Sequence, residues 1–340
     1  MPSVTLQRSG RTFDVQSNET ILDAATRQGI LIPYGCRNGA CGSCRGRVVA
    51  GSIHYPGGDP PALDERQRAR GDALLCQAHV RNDVSLDVEE LDAGQMTQVR
   101  TLPVRVMRLE RLAHDVMAVG LKLPATERLQ YMAGQYVEIL LRDGRRRAFS
   151  LANPPHDDEL LELQIRHVPD GSFSGYVFDG LKERALLRIH GPLGSFFLRE
   201  SERTAILVAG GTGFAPMQSL IEAAIEASDS RPLHLYWGVR AARDLYRHER
   251  AKAWADAHTN IHYLPVLSDP DEGETWTGRT GFVHQAILAD FADLSEVDVY
   301  ASGPPVMVNA VRETFAARGL DLDRLYYDSF DYAYETGYDN

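Results

Sequence analysis

The chain has 340 residues, 36 basic against 47 acidic side chains for a formal charge of −11, and 44% hydrophobic and 24% charged content. That length exceeds what a single hydrophobic core usually supports and predicts two or three domains, and the ordinary composition excludes extended disorder and fibrous classes. The acidic balance argues against nucleic acid or an anionic membrane surface as partner, and the lack of an eighteen-residue apolar run or a signal-peptide pattern predicts a cytoplasmic protein with no membrane span, expected as a monomer.

Residues 1–92 read as a small α+β domain. Runs at 4–7 and 12–15 are strand-like, and residues 19–28 read as a helix with Ser17 or Asn18 as cap and Gly29 as its end. A strand from Gly46 and another over 84–88 follow. All four cysteines lie in the first 76 residues, a clustering that marks a site rather than a disulfide scaffold. The string PYGCRNGACGSCRG sets Cys36, Cys41 and Cys44 in a C-x4-C-x2-C run, with Cys76 in LLCQA. This is the plant-type [2Fe-2S] spacing. Four thiolates also suit tetrahedral zinc, although zinc sites favour paired C-x2-C knuckles and Cys76 has no near partner. Gly35, Gly39 and Gly42 can take tight or left-handed turns that aim amides at sulfur. ERQRAR at 65–70 reads as a solvated helix or a docking face.

Residues 93–101 are short and polar, a linker. From 102 to 200 the chain is a series of short β-like runs broken by Gly and Pro, which predicts an antiparallel barrel or sandwich. It contains RRRAFSLANPP, with Arg147, Ala148, Phe149 and Ser150, and LQIRHVPDGSFSGYV, with Ile165, Arg166, His167, Gly171, Ser172, Phe173 and Ser174. HGPLGSFFLR closes the region as a turn and packing set.

Residues 201–330 alternate apolar strands with helical stretches, the pattern of a parallel α/β sheet. ILVAGGTGFAP carries Gly210, Gly211, Thr212 and Gly213 between a strand and a helix expected from Met217, a turn that lets a pyrophosphate approach the backbone. ASGPPVMV supplies Ser302, Gly303, Pro304 and Met307, and YYDSF supplies Asp328 and Phe330. Arg240 and Arg243 follow the second strand, where they can meet an adenosine 2′-phosphate, whereas the neighbouring Asp244 favours NADH. Residues 331–340 form an acidic tail.

In this order the motifs carry a resemblance. The first 90 residues resemble plant-type ferredoxins. RAFS resembles the R-x-(Y/F)-S flavin motif of ferredoxin-NADP reductase-like domains, and SGPPVM resembles the C-G-P-P-x-M motif beside the nicotinamide, with Ser302 in place of cysteine. The whole chain is similar to the three-module reductase components of bacterial oxygenases, such as those of benzoate dioxygenase and phenol hydroxylase. Some stretches (YWGVRAARDLY, GRTGFVH) resemble most the dideoxysugar branch, whose acceptor is a CDP-4-keto-6-deoxyglucose 3-dehydrase.

The resemblance implies a multidomain protein: a β-grasp [2Fe-2S] ferredoxin domain, an antiparallel β-barrel binding FAD, and a parallel α/β domain binding NADH, with NADPH as the alternative. It implies that Cys36, Cys41, Cys44 and Cys76 hold the cluster and that Ser150, Ser302 and Phe330 stand at the reacting rings. Arg147, Ala148, Phe149, Ile165, Arg166, His167, Gly171, Ser172, Phe173 and Ser174 would serve the flavin. Gly210, Gly211, Thr212, Gly213, Arg240, Arg243, Gly303, Pro304 and Met307 would serve the nicotinamide cofactor. Electrons would pass from NADH through FAD to the cluster and on to an acceptor protein, an oxygenase or dehydrase component. A stand-alone flavin, quinone or ferric reductase, and a metal-binding regulatory protein, are the other classes the residues alone allow.

Overall fold

The computed structural model describes residues 1–91, 98–271, 273 and 275–330. The chain divides into two compact units, Met1–Thr97 and Gln98–Asn340. Of the stretches expected as linker and tail, residues 93–97 and 331–340 lie outside the described residues.

In the first unit β1 (Ser3–Leu6), β2 (Thr12–Asp14), β3 (Arg45–Ala50), β5 (Asp72–Leu74) and β7 (Val84–Asp87) form a mixed sheet in the order β2-β1-β7-β3-β5, with β1 parallel to β7. β4 (Ile53–His54) and β6 (His79–Val80) make a separate pair. Alternation decides the register: Val4 and Leu6 face inward beside Val84 and Leu86, and α1 (Ile21–Arg27) lays Ile21, Leu22, Ala24 and Ala25 onto the same core.

The helix starts later than expected. Its cap is Thr20, whose hydroxyl accepts the Asp23 N–H at 3.1 Å, while Asn18 turns left-handed at φ 64°. Glu19 instead pairs with Arg27 at 2.8 Å, and Gly29 ends the helix at φ 72°. The ERQRAR stretch forms α2 (Glu65–Ala69), capped reciprocally by Asp64 and Gln67. Two of its arginines are engaged, Arg68 with Asp59 and Arg70 with Asp72.

The second unit opens with a barrel. β8 (Arg100–Ala113), β9 (Val116–Lys122), β10 (Tyr136–Leu140), β11 (Arg146–Ser150), β12 (Leu161–Arg166) and β13 (Leu186–Leu193) pair antiparallel in the order β11-β10-β13-β8-β9-β12. A single bridge between Leu151, just after β11, and Leu163 of β12 brings the two ends of the sheet together into a barrel. Arg100 and Thr101, expected in the linker, already belong to β8. β11 carries no hydrophobic alternation. It is a strand because its neighbour holds it, with Phe149 opposite Val137 and Arg147 opposite Ile139. α3 (Ser172–Asp179) follows β12.

Beyond the barrel lie β14 (Thr204–Gly210), α4 (Phe214–Glu226), β15 (Leu233–Val239), α5 (His248–Ala257), β16 (Ile261–Leu267), β17 (Arg279–Thr280), α6 (Val283–Asp290), β18 (Val297–Gly303), α7 (Pro305–Ala316) and β19 (Leu325–Ser329). The six strands are parallel, in the order β17-β16-β15-β14-β18-β19. β18 is buried throughout and β14 nearly so, the mark of central strands covered on both faces. α4 begins at Phe214 rather than Met217, because Pro216 falls in a first turn whose N–H groups have no intrahelical partner. Chain order reverses between β14 and β18, so a crevice opens beyond their carboxyl ends.

Candidate functional site

The cysteine loop builds its site from one short stretch. Gly39 and Gly42 take left-handed backbone at φ 79° and 85°, as does Arg37 at φ 61°, whereas Gly35 does not. Amides turn inward as a result: Cys41 N–H reaches Cys36 Sγ at 3.2 Å, Cys36 N–H reaches Cys41 Sγ at 3.4 Å, and Cys76 N–H reaches Cys44 Sγ at 3.4 Å. The thiols group two by two, Cys36 with Cys41 and Cys44 with Cys76. Within each pair the shared hydrogen bond lowers the pKa of Cys41 and Cys76; the same bond, with burial, raises that of Cys36 and Cys44. A single tetrahedral zinc would draw all four sulfurs to within about 4 Å of one another. Among the described residues no three cysteine sulfurs lie mutually within 4.8 Å, so the donor set fits two irons, each held by two thiolates. Cys36 alone is partly exposed.

The second site is assembled from distant segments. Ser150, at the end of β11, donates its hydroxyl to Asp328 Oδ2 of β19 at 3.2 Å. Asp328 stands beside Ser302 in the strand register, and Phe330 follows with its N–H 3.3 Å from the Gly303 carbonyl. Ser302 is fully buried, and its Oγ has no hydrogen-bond partner among the described residues. The barrel's flavin-motif strand therefore ends against the crevice of the parallel sheet.

The glycine turn of the crevice is cramped enough to require its glycines. A Cβ on Gly213 would lie 1.9 Å from the Ser302 carbonyl oxygen, and one on Gly210 would lie 2.6 Å from Met307 Sδ. Pro304 leads into α7, with Pro305 at its first position. Gly211 turns left-handed at φ 53°, and a Cβ there would lie 2.8 Å from Nη1 of Arg166. Arg166 pairs through Nε with Asp115 Oδ2 at 3.2 Å, while its buried Nη2 has no hydrogen-bond partner among the described residues. A buried, unpartnered guanidinium nitrogen over a side-chain-free turn at the amino end of α4 fits an incoming pyrophosphate.

The remaining expected residues divide. Phe149 and Phe173 meet with ring centroids 5.6 Å apart, and α3 begins after Gly171 with no side-chain cap. Arg147 and Ala148 lie on β11. Ile165 is buried in the barrel core. Ser174 turns back into its own loop and accepts the Val168 N–H at 3.0 Å. His167 sits edge-on to Phe178 at 5.2 Å.

Cofactor selection also reads differently. Asp244 is buried and accepts the Ala241 N–H at 3.2 Å through Oδ2. Arg243 pairs with Asp271 at 2.9 Å, and the Arg240 carbonyl accepts the Asp269 N–H at 2.9 Å. These arginines thus stand among acids from the loop after β16.

Sequence reasoning passed over Asp115, Asp271 and a polar ladder on β12. Glu162, Gln164 and Arg166 share one side of that strand: Arg247 reaches Glu162 at 3.7 Å, the Tyr246 hydroxyl reaches Gln164 at 2.8 Å, and Arg166 meets Gly211. The alternation in LELQIR carried this signal. Nothing local marks Asp115.

Comparison with known proteins covers the same regions. Residues 4–81 match the 2Fe-2S iron-sulfur cluster binding domain, 103–198 the oxidoreductase FAD-binding domain and 207–313 the oxidoreductase NAD-binding domain. The chain is 41% identical to a CDP-6-deoxy-L-threo-D-glycero-4-hexulose-3-dehydrase reductase of Yersinia pestis, over 96% of this chain and 98% of that protein. It is 34% identical to the phenol hydroxylase P5 protein of Acinetobacter pittii, over 92% and 89%. The crystal structure of the Amycolatopsis cytochrome P450 reductase GcoB superposes with a TM-score of 0.79 at 33% identity, covering 97% of this chain and 99% of that one. With cysteines, flavin-motif strand and nucleotide crevice in that order on one chain, the protein belongs to the iron-sulfur flavoprotein reductases, NAD(P)H-dependent electron-transfer oxidoreductases with [2Fe-2S], FAD and NAD(H) as cofactors.

Proposed function

We propose that this reductase takes its electrons from NADH and delivers them to a partner protein through the cysteine-held cluster. The observation that carries the reading is the convergence of Ser150, Asp328, Ser302 and Phe330 where the flavin-motif strand meets the carboxyl ends of β18 and β19. When bound, the cofactors supply a hydride transfer from nicotinamide to flavin and one-electron transfers from flavin to iron.

The chain's own residues do the positioning. Asp328 accepts the Ser150 hydroxyl, which would stand at the edge of the flavin ring. Phe330 would cover the flavin ring where the nicotinamide binds, and Ser302 would offer a small polar group in place of a thiol. Arg147 and the amides of Ser172 and Phe173 would hold the flavin phosphates, while Arg166 and the turn through Gly210, Gly211, Thr212 and Gly213 would hold those of the nicotinamide cofactor. Arg166 thereby moves from the flavin set to the nicotinamide set.

NADH is favoured because Asp271 neutralises Arg243 and, with Asp269, sets negative charge where a 2′-phosphate would lie. The Asp271→Asn variant should raise kcat/KM for NADPH about 10-fold, the equivalent of ~1.4 kcal/mol, and leave NADH within twofold, with ferricyanide as acceptor. A wild-type preference for NADPH would overturn this choice. Among acceptors we favour a CDP-6-deoxy-hexulose dehydrase over an oxygenase component, on 41% against 34% identity to reductases so named, with a cytoplasmic monomer as the setting. Purified dehydrase and oxygenase components, each offered to the NADH-reduced protein, decide between them by which one reoxidises the cluster.

A further inference from the structure

The strand that carries the flavin motif also dictates where the rest of the cofactor must go. Ser150 stands at the end of β11 beside Asp328, which places the flavin ring there, and a strand rises about 3.3 Å per residue, so Arg147 lies roughly 10 Å back along it. With the diphosphate at Arg147, anything attached beyond it reaches the β10–β11 hairpin and the first turns of α3.

That surface is already arranged. Arg145 of the hairpin donates from Nη2 to Ser172 Oγ at 3.3 Å, which ties the hairpin to the first residue of α3. Tyr176, four residues on, shares the face of Ser172. It is 44% exposed, and Phe282 is the only other aromatic among the exposed large hydrophobic residues described. Its ring is held on two sides: Phe173 lies 6.4 Å away centroid to centroid, and a Cβ on Gly180 would lie 2.9 Å from its Cδ2, so the glycine leaves the ring its place. Beside it, a Cβ on Gly175 would meet nothing within 4 Å. A fixed aromatic with one open side, a guanidinium alongside and free space adjoining is a seat for a flat heterocycle carried on a phosphate.

We propose that Tyr176 stacks on the adenine of FAD, with Arg145 beside the adenosine phosphate, so that this face of α3 is what makes the protein select FAD over FMN. The inference rests on the flavin site proposed above and goes beyond it, because that reading assigns the motif residues to the flavin ring and the phosphates only. Stacking needs the ring and not the hydroxyl.

The test uses the full-length protein stripped of flavin and titrated with FAD and with FMN, following quenching of flavin fluorescence. Wild type should bind FAD more tightly than FMN. Tyr176→Ala should weaken FAD about 10-fold and leave FMN within twofold, and Tyr176→Phe should bind both as wild type does. If Tyr176→Ala leaves FAD affinity unchanged, or weakens FAD and FMN alike, the proposal is wrong. Arg147→Ala separates the two levels of the argument: it should weaken both flavins, and if it weakens neither, the flavin site itself has been misplaced whatever Tyr176 does.

Discussion

The two redox sites of this chain are built in opposite ways. The cluster site takes three of its four ligands from nine consecutive residues, Cys36 to Cys44, and left-handed backbone at Arg37, Gly39 and Gly42 turns the loop's own amides toward sulfur. The flavin–nicotinamide site takes Ser150 from a barrel strand, Gly213 from a turn, Ser302 from a central strand and Asp328 from an edge strand, spread over almost 180 residues. A loop that organises itself can be lost without disturbing the rest, whereas a site made of strand ends depends on the packing of everything between them.

The largest expected effect exploits that difference. Cys76→Ser should abolish cluster reduction and delivery to a partner protein, while NADH still bleaches the flavin at the wild-type rate. A parallel loss of flavin bleaching would show that the two sites are not separable. Gly213→Ala should do the reverse. Its new methyl would collide with the Ser302 carbonyl, costing on the order of 3 kcal/mol of stability by urea denaturation and most of the NADH-dependent flavin reduction, with the cluster's visible spectrum intact.

A smaller loss is expected at the ring edge. Ser150→Ala and Asp328→Asn should each slow flavin reduction by NADH about 10- to 100-fold, since both leave the fold in place and misplace one contact. If the double variant is no slower than either single variant, the two side chains act as one unit, as their hydrogen bond implies.

The smallest effect lies away from both sites. His234 of β15 is held down to about 4 by burial and by the facing His262, against the attraction of Asp290. The unfolded chain takes up that proton near pH 6.5, so this contribution to stability is complete above pH 6.5 and is lost as pH falls toward 4. His234→Gln should flatten the decline in urea midpoint between pH 6.5 and pH 5, and an unchanged slope would remove the histidine from the account.

How much of this was legible in the sequence follows the same contrast. The cluster ligands could be read from spacing, because a contiguous loop writes its geometry into consecutive residues. The parallel sheet could be read from its buried apolar strands. β11 could not, since RRAFS is a strand only by virtue of β10 beside it. The cap of α1 was misjudged because Ser17, Asn18 and Thr20 are chemically equivalent candidates, and only backbone geometry separates them. Asp244, from which the sequence favours NADH, is folded into its own turn, and it is Asp271, 27 residues later, that pairs with Arg243. Orientation, not residue type, was the missing information. Ile165 and Ser174 lie in the expected motifs, but the side chain of one packs in the barrel core and that of the other bonds its own loop.

The central claim is that electrons enter at the assembled site and leave through the self-contained one. Anaerobic rapid mixing of the protein with NADH, following flavin and cluster absorbance together, tests it most directly. Flavin bleaching should come first, at a rate that rises with NADH concentration, and cluster bleaching should follow after a lag at a rate that does not. Cluster bleaching that precedes the flavin, or that persists in protein stripped of flavin, would contradict the account.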